Sequence, residues 1–349
     1  MGGLEPTLRE TAAITASSDP ARLTRPGDET SPIRPVRISP ELRRAAAMRL
    51  VALTGPQRAR AADRLLTNAS AHGIDLDLIW ATVAADRSVR QAVMLVPGAG
   101  RIAVAFQSGP GSDREAGDVA TQRAERAACL EAAARELPAM AGRTPRLIQA
   151  LPEQHEDWAR DALDEAGWRR IGTLASLRCP LPLPEAAGLG VPPADVSLDR
   201  FRGFDHPADV ADLHAALDRS YEQTLDCPGL TGLRPTPDII ESHASVGLFD
   251  PRNWWIARHR GSPEGCVLLN RLHDNRSVEL VYIGLSTRLR GRALGMTLLT
   301  HAVRGLRGGP AVELHCAVDT RNTPALGIYE TLGFQRIAER VAFVRTIEA

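Results

Sequence analysis

The sequence predicts an α+β fold built twice. Three observations carry this: an ungapped internal repeat, strands interrupted by helices, and a turn-rich break midway along the chain. The stretch "VELHCAVDTRNTPALGIYETLGFQRI" lies over "RLIQALPEQHEDWARDALDEAGWRRI" without a gap, setting Ala325 over Ala159, Gly333 over Gly167, Phe334 over Trp168 and Ile337 over Ile171. Such self-similarity marks a duplicated unit. The break is "CPLPLPEAAGLGVPPADV", residues 179–196, where prolines and glycines replace periodic pattern. We expect domains at 31–183 and 195–349 joined by a linker at 184–194, after a disordered tail at 1–30 rich in Thr, Ser, Pro and charge.

In the second half the strand "VSLDRFRGF" precedes the helices "ADVADLHAALDRSYEQTL" and "TPDIIESHASVG". The strands "NWWIARHR", "CVLLNRL" and "VELVYIGL" follow, then a helix, the strand "AVELHCAV", the helix "TPALGIYETL" and a final strand pair around "FQRIAERVAFVR". This order implies a sheet sandwiched by helices. The first-half strand "RIAVAFQ" corresponds to "ELVYIGL", and each is followed by a helix.

A chain of 349 residues with 44% hydrophobic content fills two cores. Lys+Arg 42 against Asp+Glu 42 gives no net charge, which argues against a nucleic-acid partner. Every basic residue among the 42 is arginine. The five cysteines, Cys129, Cys179, Cys227, Cys266 and Cys316, have no metal-site spacing and suit a reducing, cytoplasmic setting. No apolar run is long enough for a membrane span, so we expect a soluble protein with no membrane partner and no metal. The oligomeric state is left open.

The stretch "RLRGRALGMTLL", residues 288–299, places an arginine- and glycine-bearing turn between a buried strand and an amphipathic helix. Amides at a helix start lack intrahelical partners and sit at the positive end of the dipole, so the turn favours an anion such as phosphate. The first half has no counterpart of this turn and is expected to have lost the site.

With these pieces in place the second half resembles the GNAT superfamily of N-acetyltransferases. Arg290, Ala293 and Gly295 fall on that family's Arg/Gln-x-x-Gly-x-Gly/Ala turn, with alanine where glycine is usual. The stretch "NTPALGIYETLGF" matches its second hallmark through Asn322, Ala325, Tyr329, Gly333 and Phe334. The resemblance covers most of 195–349 and, more weakly, the first half. It implies tandem GNAT folds, each a mixed, mostly antiparallel sheet flanked by helices, with the first copy degenerate. The two-domain plan is similar to that of the mycothiol synthases within the family.

The resemblance further implies acetyl-CoA as cosubstrate and a small-molecule or peptide amine as acceptor, with direct transfer of the acetyl group. The amides of Gly291, Arg292, Ala293, Leu294 and Gly295 would cradle pyrophosphate, with Arg290 and Arg292 adding charge; alanine in a helical first turn is expected to be free of strain. Ile283, Gly284 and Leu285 would offer backbone groups to the pantetheine arm, with Gly284 the expected site of a strand bulge. Asn322 joins the cofactor-binding set. Tyr329 matches the family's proton donor, and Glu279 is the candidate base. Tyr221, Glu222 and Asp226 are candidates for binding a cationic amine. Plainer roles stand beside these: a packed ring for Tyr329, a solvated carboxylate for Glu279, surface charge for Arg290 and Arg292, a helix cap for Asn322. His301, His315 and Cys227 read as structural, and at most one of Trp254 and Trp255 can face a ligand because they alternate. The other reading of the whole is an acyl-CoA sensor that does no transfer. The first half is expected to pack on the second and shape its acceptor pocket.

Overall fold

The computed structural model describes residues 33–51, 55–112, 117–140, 144–183, 191–274, 276–306 and 309–347. The expected N-terminal tail and most of the linker lie outside them. Each half begins with two helices and ends in a long strand. In the first half β1 (Val36–Arg37), α1 (Arg43–Leu50) and α2 (Gly55–Asn68) lead to β2 (Ile79–Val83), β3 (Val89–Gly98) and β4 (Ile102–Gln107). Then come α3 (Val119–Met140), β5 (Leu147–Ala150), α4 (Asp157–Glu165) and β6 (Arg169–Pro180). The second half runs β7 (Val196–Arg200), α5 (Pro207–Tyr221), α6 (Thr236–Ala244), β8 (Trp254–His259), β9 (Ser262–Arg271), β10 (Ser277–Leu285), α7 (Leu294–Arg304), β11 (Glu313–Asp319), α8 (Thr323–Thr331) and β12 (Gln335–Thr346).

The repeat read from sequence holds element by element. Setting Leu147 over Glu313 puts α4 over α8 and β6 over β12 with the same first and last residues. Apolar spacing explains both copies: Ala159, Ala162, Leu163 and Ala166 form the buried stripe of α4, and glycine follows each helix in the left-handed region, Gly167 at φ +68 and Gly333 at φ +83. The "FQRIAERVAFVR" stretch, expected as a strand pair, is one continuous strand, β12.

Among the described residues the twelve strands form one sheet, in the order β1-β2-β3-β4-β5-β12-β6-β11-β10-β9-β8-β7. It is α+β and mostly antiparallel; the parallel pairs are β4 with β5 and β10 with β11. The two halves exchange their last strands. β12 of the second half lies between β5 and β6 of the first, and β6 pairs in turn with β11 of the second. The registers show a pseudo-twofold relation: Leu147 faces Thr346 as its repeat mate Glu313 faces Pro180. Ile171 and Ile337, also repeat mates, are each skipped where the β6–β12 register shifts.

Helices cover both faces. In the first half α1 and α2 pack on Ile79, Ala81 and Met94, while α3 and α4 pack on Trp80, Val93, Leu95 and Phe343. In the second, α5 and α6 cover Trp254, Ile256 and Leu268, and α7 and α8 cover Val267, Leu280 and Leu314. Burial of one such side chain is worth about 1.5–3 kcal/mol. Phe343 lies on β12 of the second half yet fills the first half's core, so strand exchange makes the cores mutually dependent. No helix among the described residues is long and apolar enough to cross a membrane.

Candidate active site

β10 ends at Leu285, and the chain turns sharply: the Ser286 carbonyl accepts from the Leu289 and Arg290 amides at 3.0 and 3.1 Å. Gly291 follows at φ +74 and Ala293 at φ +55, and α7 starts at Leu294. Among the described residues no acceptor of the chain takes an amide from Gly291 through Met296, and the Thr297 amide reaches the Ala293 carbonyl only at 3.5 Å. Consecutive free amides at the positive end of α7 fit a diphosphate. Gly295 brings α7 against α8, since a Cβ there would stand 2.8 Å from Ile328 Cδ1.

Three expectations for this turn are corrected. Ala293 is in the left-handed region rather than in a helical first turn, so it carries the strain that glycine would avoid. The Arg290 guanidinium is turned inward onto three carbonyls, of Leu285 (2.9 Å), Gln223 (3.0 Å) and Ser220 (2.8 Å), strapping α5 to the end of β10. Arg292 pairs with Asp195 at 3.2 Å, and Asp195 also meets His259 at 3.0 Å. The turn therefore offers amides, with its arginine side chains engaged by the protein.

Beside the turn the sheet opens. β10 and β11 pair only from Ser277–Glu279 to Glu313–His315, so the β11-facing edge of β10 is unpaired from Leu280 to Leu285. Ile283 and Leu285 turn their side chains toward α7. The bulge lies between Leu280 and Tyr282, not at Gly284 as expected. Gly284 has a different reason: a Cβ would overlap the Tyr282 hydroxyl, which sits 2.7 Å from Ser220 Oγ. The bulge sends Val281 and Tyr282 to the same face, against α5 and α6.

Tyr329 lies buried under α8, its ring 5.0 Å from Phe334. Burial holds the phenol well above its usual pKa, with the Cys316 thiol adjacent, and keeps it protonated. Glu279 sits where the parallel pairing ends, across from Asn270 and His315. Burial raises its carboxyl above the ordinary glutamate value, and nearby His315 opposes the rise.

The α5 side of the wedge holds Tyr221 and Tyr282, with ring centroids 5.3 Å apart, and His243 stacked on Tyr282 at 5.5 Å. The His243 carbonyl accepts from Asn270 Nδ2 at 2.8 Å. Burial lowers the His243 pKa to about 3, so the ring is neutral. Asp226 accepts the Asp319 amide at 2.8 Å, while Asp319 accepts the Cys227 amide at 3.1 Å. Burial and the Asp319 charge raise the Asp226 pKa against that hydrogen bond. Its charge helps to raise the pKa values of Tyr221, Tyr282 and Tyr329, the three tyrosines of the chain, behind the larger effect of burial.

Of the remaining candidates, Leu294 is buried, Glu222 is exposed at the end of α5, and Asn322 caps α8 by accepting the Ala325 amide at 3.4 Å. Trp254 donates to Asn270 Oδ1 at 2.8 Å, and Trp255 meets His301 edge-on at 4.4 Å on the other face. The sequence reading missed Tyr282, His243 and Asp319. The confinement of all three tyrosines to the second half was the available signal for Tyr282.

Among the described residues, the segment after β4 in the first half is tied to side chains of α3 and α1. After β4 the carbonyls of Ser108 and Gly109 accept from Arg126, that of Gly109 from Arg49, and those of Gly111 and Gly117 from Gln122. The Gly111 amide in turn donates to Gln122 Oε1 at 3.0 Å, so side chains of α3 engage the backbone of this segment.

Residues 217–334 match the acetyltransferase (GNAT) family. The mycothiol acetyltransferase of Gordonia bronchialis is 31% identical over 108 residues, 30% of this chain and 35% of that one. The N-alpha-acetyltransferase RimI of Mycobacterium tuberculosis is 32% identical over 101 residues, 28% of this chain and 62% of that one. The chain thus spans about a third of the former's length and about three fifths of the latter's. A GCN5-related N-acetyltransferase from Sphaerobacter thermophilus shares the fold at TM-score 0.52 and 18% identity, over 90% of this chain and 96% of that one.

Proposed function

With a GNAT domain in the second half as premise, we propose that the protein is an acetyl-CoA-dependent N-acetyltransferase acting on a small-molecule primary amine, with one active site per chain. The observation that carries this reading is the run of free amides at the start of α7 beside the open edge of β10. Acetyl-CoA, when bound, supplies the thioester acetyl group.

The Gly291–Gly295 amides hold its diphosphate, and backbone groups of Ile283, Gly284 and Leu285 line its arm. A backbone N–H at Leu285 or its neighbour stabilises the oxyanion. Glu279 takes a proton from the bound ammonium through a water, leaving the neutral amine to attack; its raised pKa moves it toward the range where a base works near neutrality. Asp226 and Tyr221 hold the amine's positive charge beforehand. Tyr329 would give its phenolic proton to the departing sulfur, a role its buried, protonated state favours, and the proton then shed by the acylated nitrogen would restore the phenol by way of water. The acceptor amine gains the acetyl group in one transfer, with no covalent adduct on the chain.

The match to mycothiol acetyltransferases supports a small acceptor, and that to RimI a peptide amine as second reading. Titration calorimetry of acetyl-CoA into the wild type and Gly295→Glu tests the site. One site per chain, lost in the variant, is expected; no binding would sink the enzyme reading. Binding without turnover of any amine would favour the sensor.

A further inference from the structure

A hairpin tip of the first half reaches the acceptor side of the second. Between β3 and β4 the chain turns at Ala99 and Gly100, with Gly100 at φ +72. Ser242 Oγ, on α6, donates to the Ala99 carbonyl at 2.9 Å. Arg234 Nη1 donates to the Gly100 carbonyl at 3.0 Å and to Ser242 Oγ at 2.7 Å. A Cβ at Gly100 would overlap the Asp238 carbonyl and the Ser242 hydroxyl, so this approach is open to glycine only. Arg146, preceding β5, adds a 3.7 Å ion pair to buried Asp238.

The contact leads directly to the proposed chemistry. Ser242 precedes His243, which stacks on Tyr282 and is tied through its carbonyl to Asn270. Asn270 is the cross-strand partner of Glu279. Arg234 closes the Asp226-bearing segment, whose Gly229 packs on Ile171 of the first half and takes a 2.8 Å hydrogen bond from Arg169. The corresponding turn between β9 and β10 bonds within its own half: Asp274 accepts the Arg276 and Ser277 amides, each at 2.9 Å, among the described residues. The latch is therefore one-sided, from the first half to the second.

We propose that the Ala99–Gly100 tip is a positioning element for the acceptor site. By fixing Ser242 and Arg234 it sets the place of α6, and through His243 and Asn270 it sets the wall against which the amine is presented to Glu279. The kinetic part rests on the transfer reading above; the mechanical part does not.

Full-length wild type, Gly100→Ala and Ser242→Ala are compared by hydrogen exchange and by steady-state kinetics with glucosamine and with a short peptide bearing a free amino terminus. Gly100→Ala is expected to speed exchange in 236–244 while leaving 291–304 unchanged. On whichever amine the wild type acetylates, acceptor KM rises about tenfold, with kcat and the acetyl-CoA KM within about twofold. Ser242→Ala shifts KM the same way by less, and Arg234→Lys stays closer to wild type than Arg234→Ala. Unchanged acceptor KM, or an equal rise in both KM values, overturns the proposal. If the wild type acetylates neither amine, the transfer reading on these amines fails and the exchange data decide alone: unchanged protection of α6 refutes the latch. Should Gly100→Ala not fold, Ser242→Ala, which adds no bulk, carries both arms.

Discussion

The two halves share a scaffold, matched to the residue in α4 and β6 against α8 and β12, yet the same positions hold different chemistry. The parallel registers place Val104 of β4 where β10 has Glu279, and Gln149 of β5 where β11 has His315. Leu163 stands in α4 where α8 has Tyr329. β4 pairs with β3 without a register shift from Ile102 to Gln107, whereas β10 carries the bulge that turns Tyr282 toward α5. One half presents carbonyls to a buried arginine and the other free amides. The strands of both halves are bound into one sheet: β12 is held on both sides by the first half, and β11 is held on one.

Cutting the chain is the most severe way to break this comparison. Residues 191–349 alone lack β5 and β6, leaving β12 without either partner and β11 with an open edge. We expect no cooperative unfolding transition by circular dichroism, and recovery of one when residues 33–183 are co-expressed as a separate chain. An independently folded, acetyl-CoA-binding fragment would show the strand exchange to be dispensable.

Next in size is the loss of the proposed proton donor. Tyr329→Phe keeps the buried ring and removes the hydroxyl, so kcat should fall about a hundredfold or more while acetyl-CoA binding by calorimetry is retained. The reciprocal change, Leu163→Tyr, should yield no second binding site, since the ties around Arg126 remain. A second site would mean that the first half was silenced by one residue only.

Glu279 sharpens the comparison through pH. Burial raises its pKa in the folded chain, and a base works only when deprotonated, so the rising limb of kcat/KM should lie above the ordinary glutamate range and vanish in Glu279→Gln. The sign for stability is opposite. The folded state holds this proton to higher pH than the unfolded one, so the residue's contribution declines as pH rises between the unfolded and folded pKa values. A profile unchanged in Glu279→Gln would move the base elsewhere, with Asp226 next in place.

Much of this was legible in the sequence, for reasons that also mark where reading stops. The helices α4 and α8 and their flanking strands could be located because an ungapped repeat carries the same apolar period twice. The exchange of β6 and β12 could not, since alternation specifies which face of a strand is buried and not which strand lies beside it. "RLRGRALG" marked the turn before α7 but not the direction of Arg290 and Arg292, whose long side chains take whichever carbonyl or carboxylate is near. Gly284 drew the bulge by composition; the bulge sits at Val281, and Gly284 makes room for the Tyr282 hydroxyl, a contact visible only in three dimensions.

The smallest effect bears on the turn itself. Ala293 adopts φ +55 and ψ 12, a conformation that costs an L-residue about 1–2 kcal/mol. Ala293→Gly removes that cost and adds unfolded-state entropy of roughly 0.5–1 kcal/mol, so the net stabilisation should lie between about 0 and 1.5 kcal/mol. A small rise in Tm is therefore expected. Acetyl-CoA affinity separates two origins of the strain. If alanine holds the Gly291–Met296 amides in place, the glycine variant binds more weakly despite being more stable; if the strain is incidental, affinity follows stability or does not change. A fall in Tm would mean that the turn is helical at Ala293, with the amides then paired within α7 and the cradle absent.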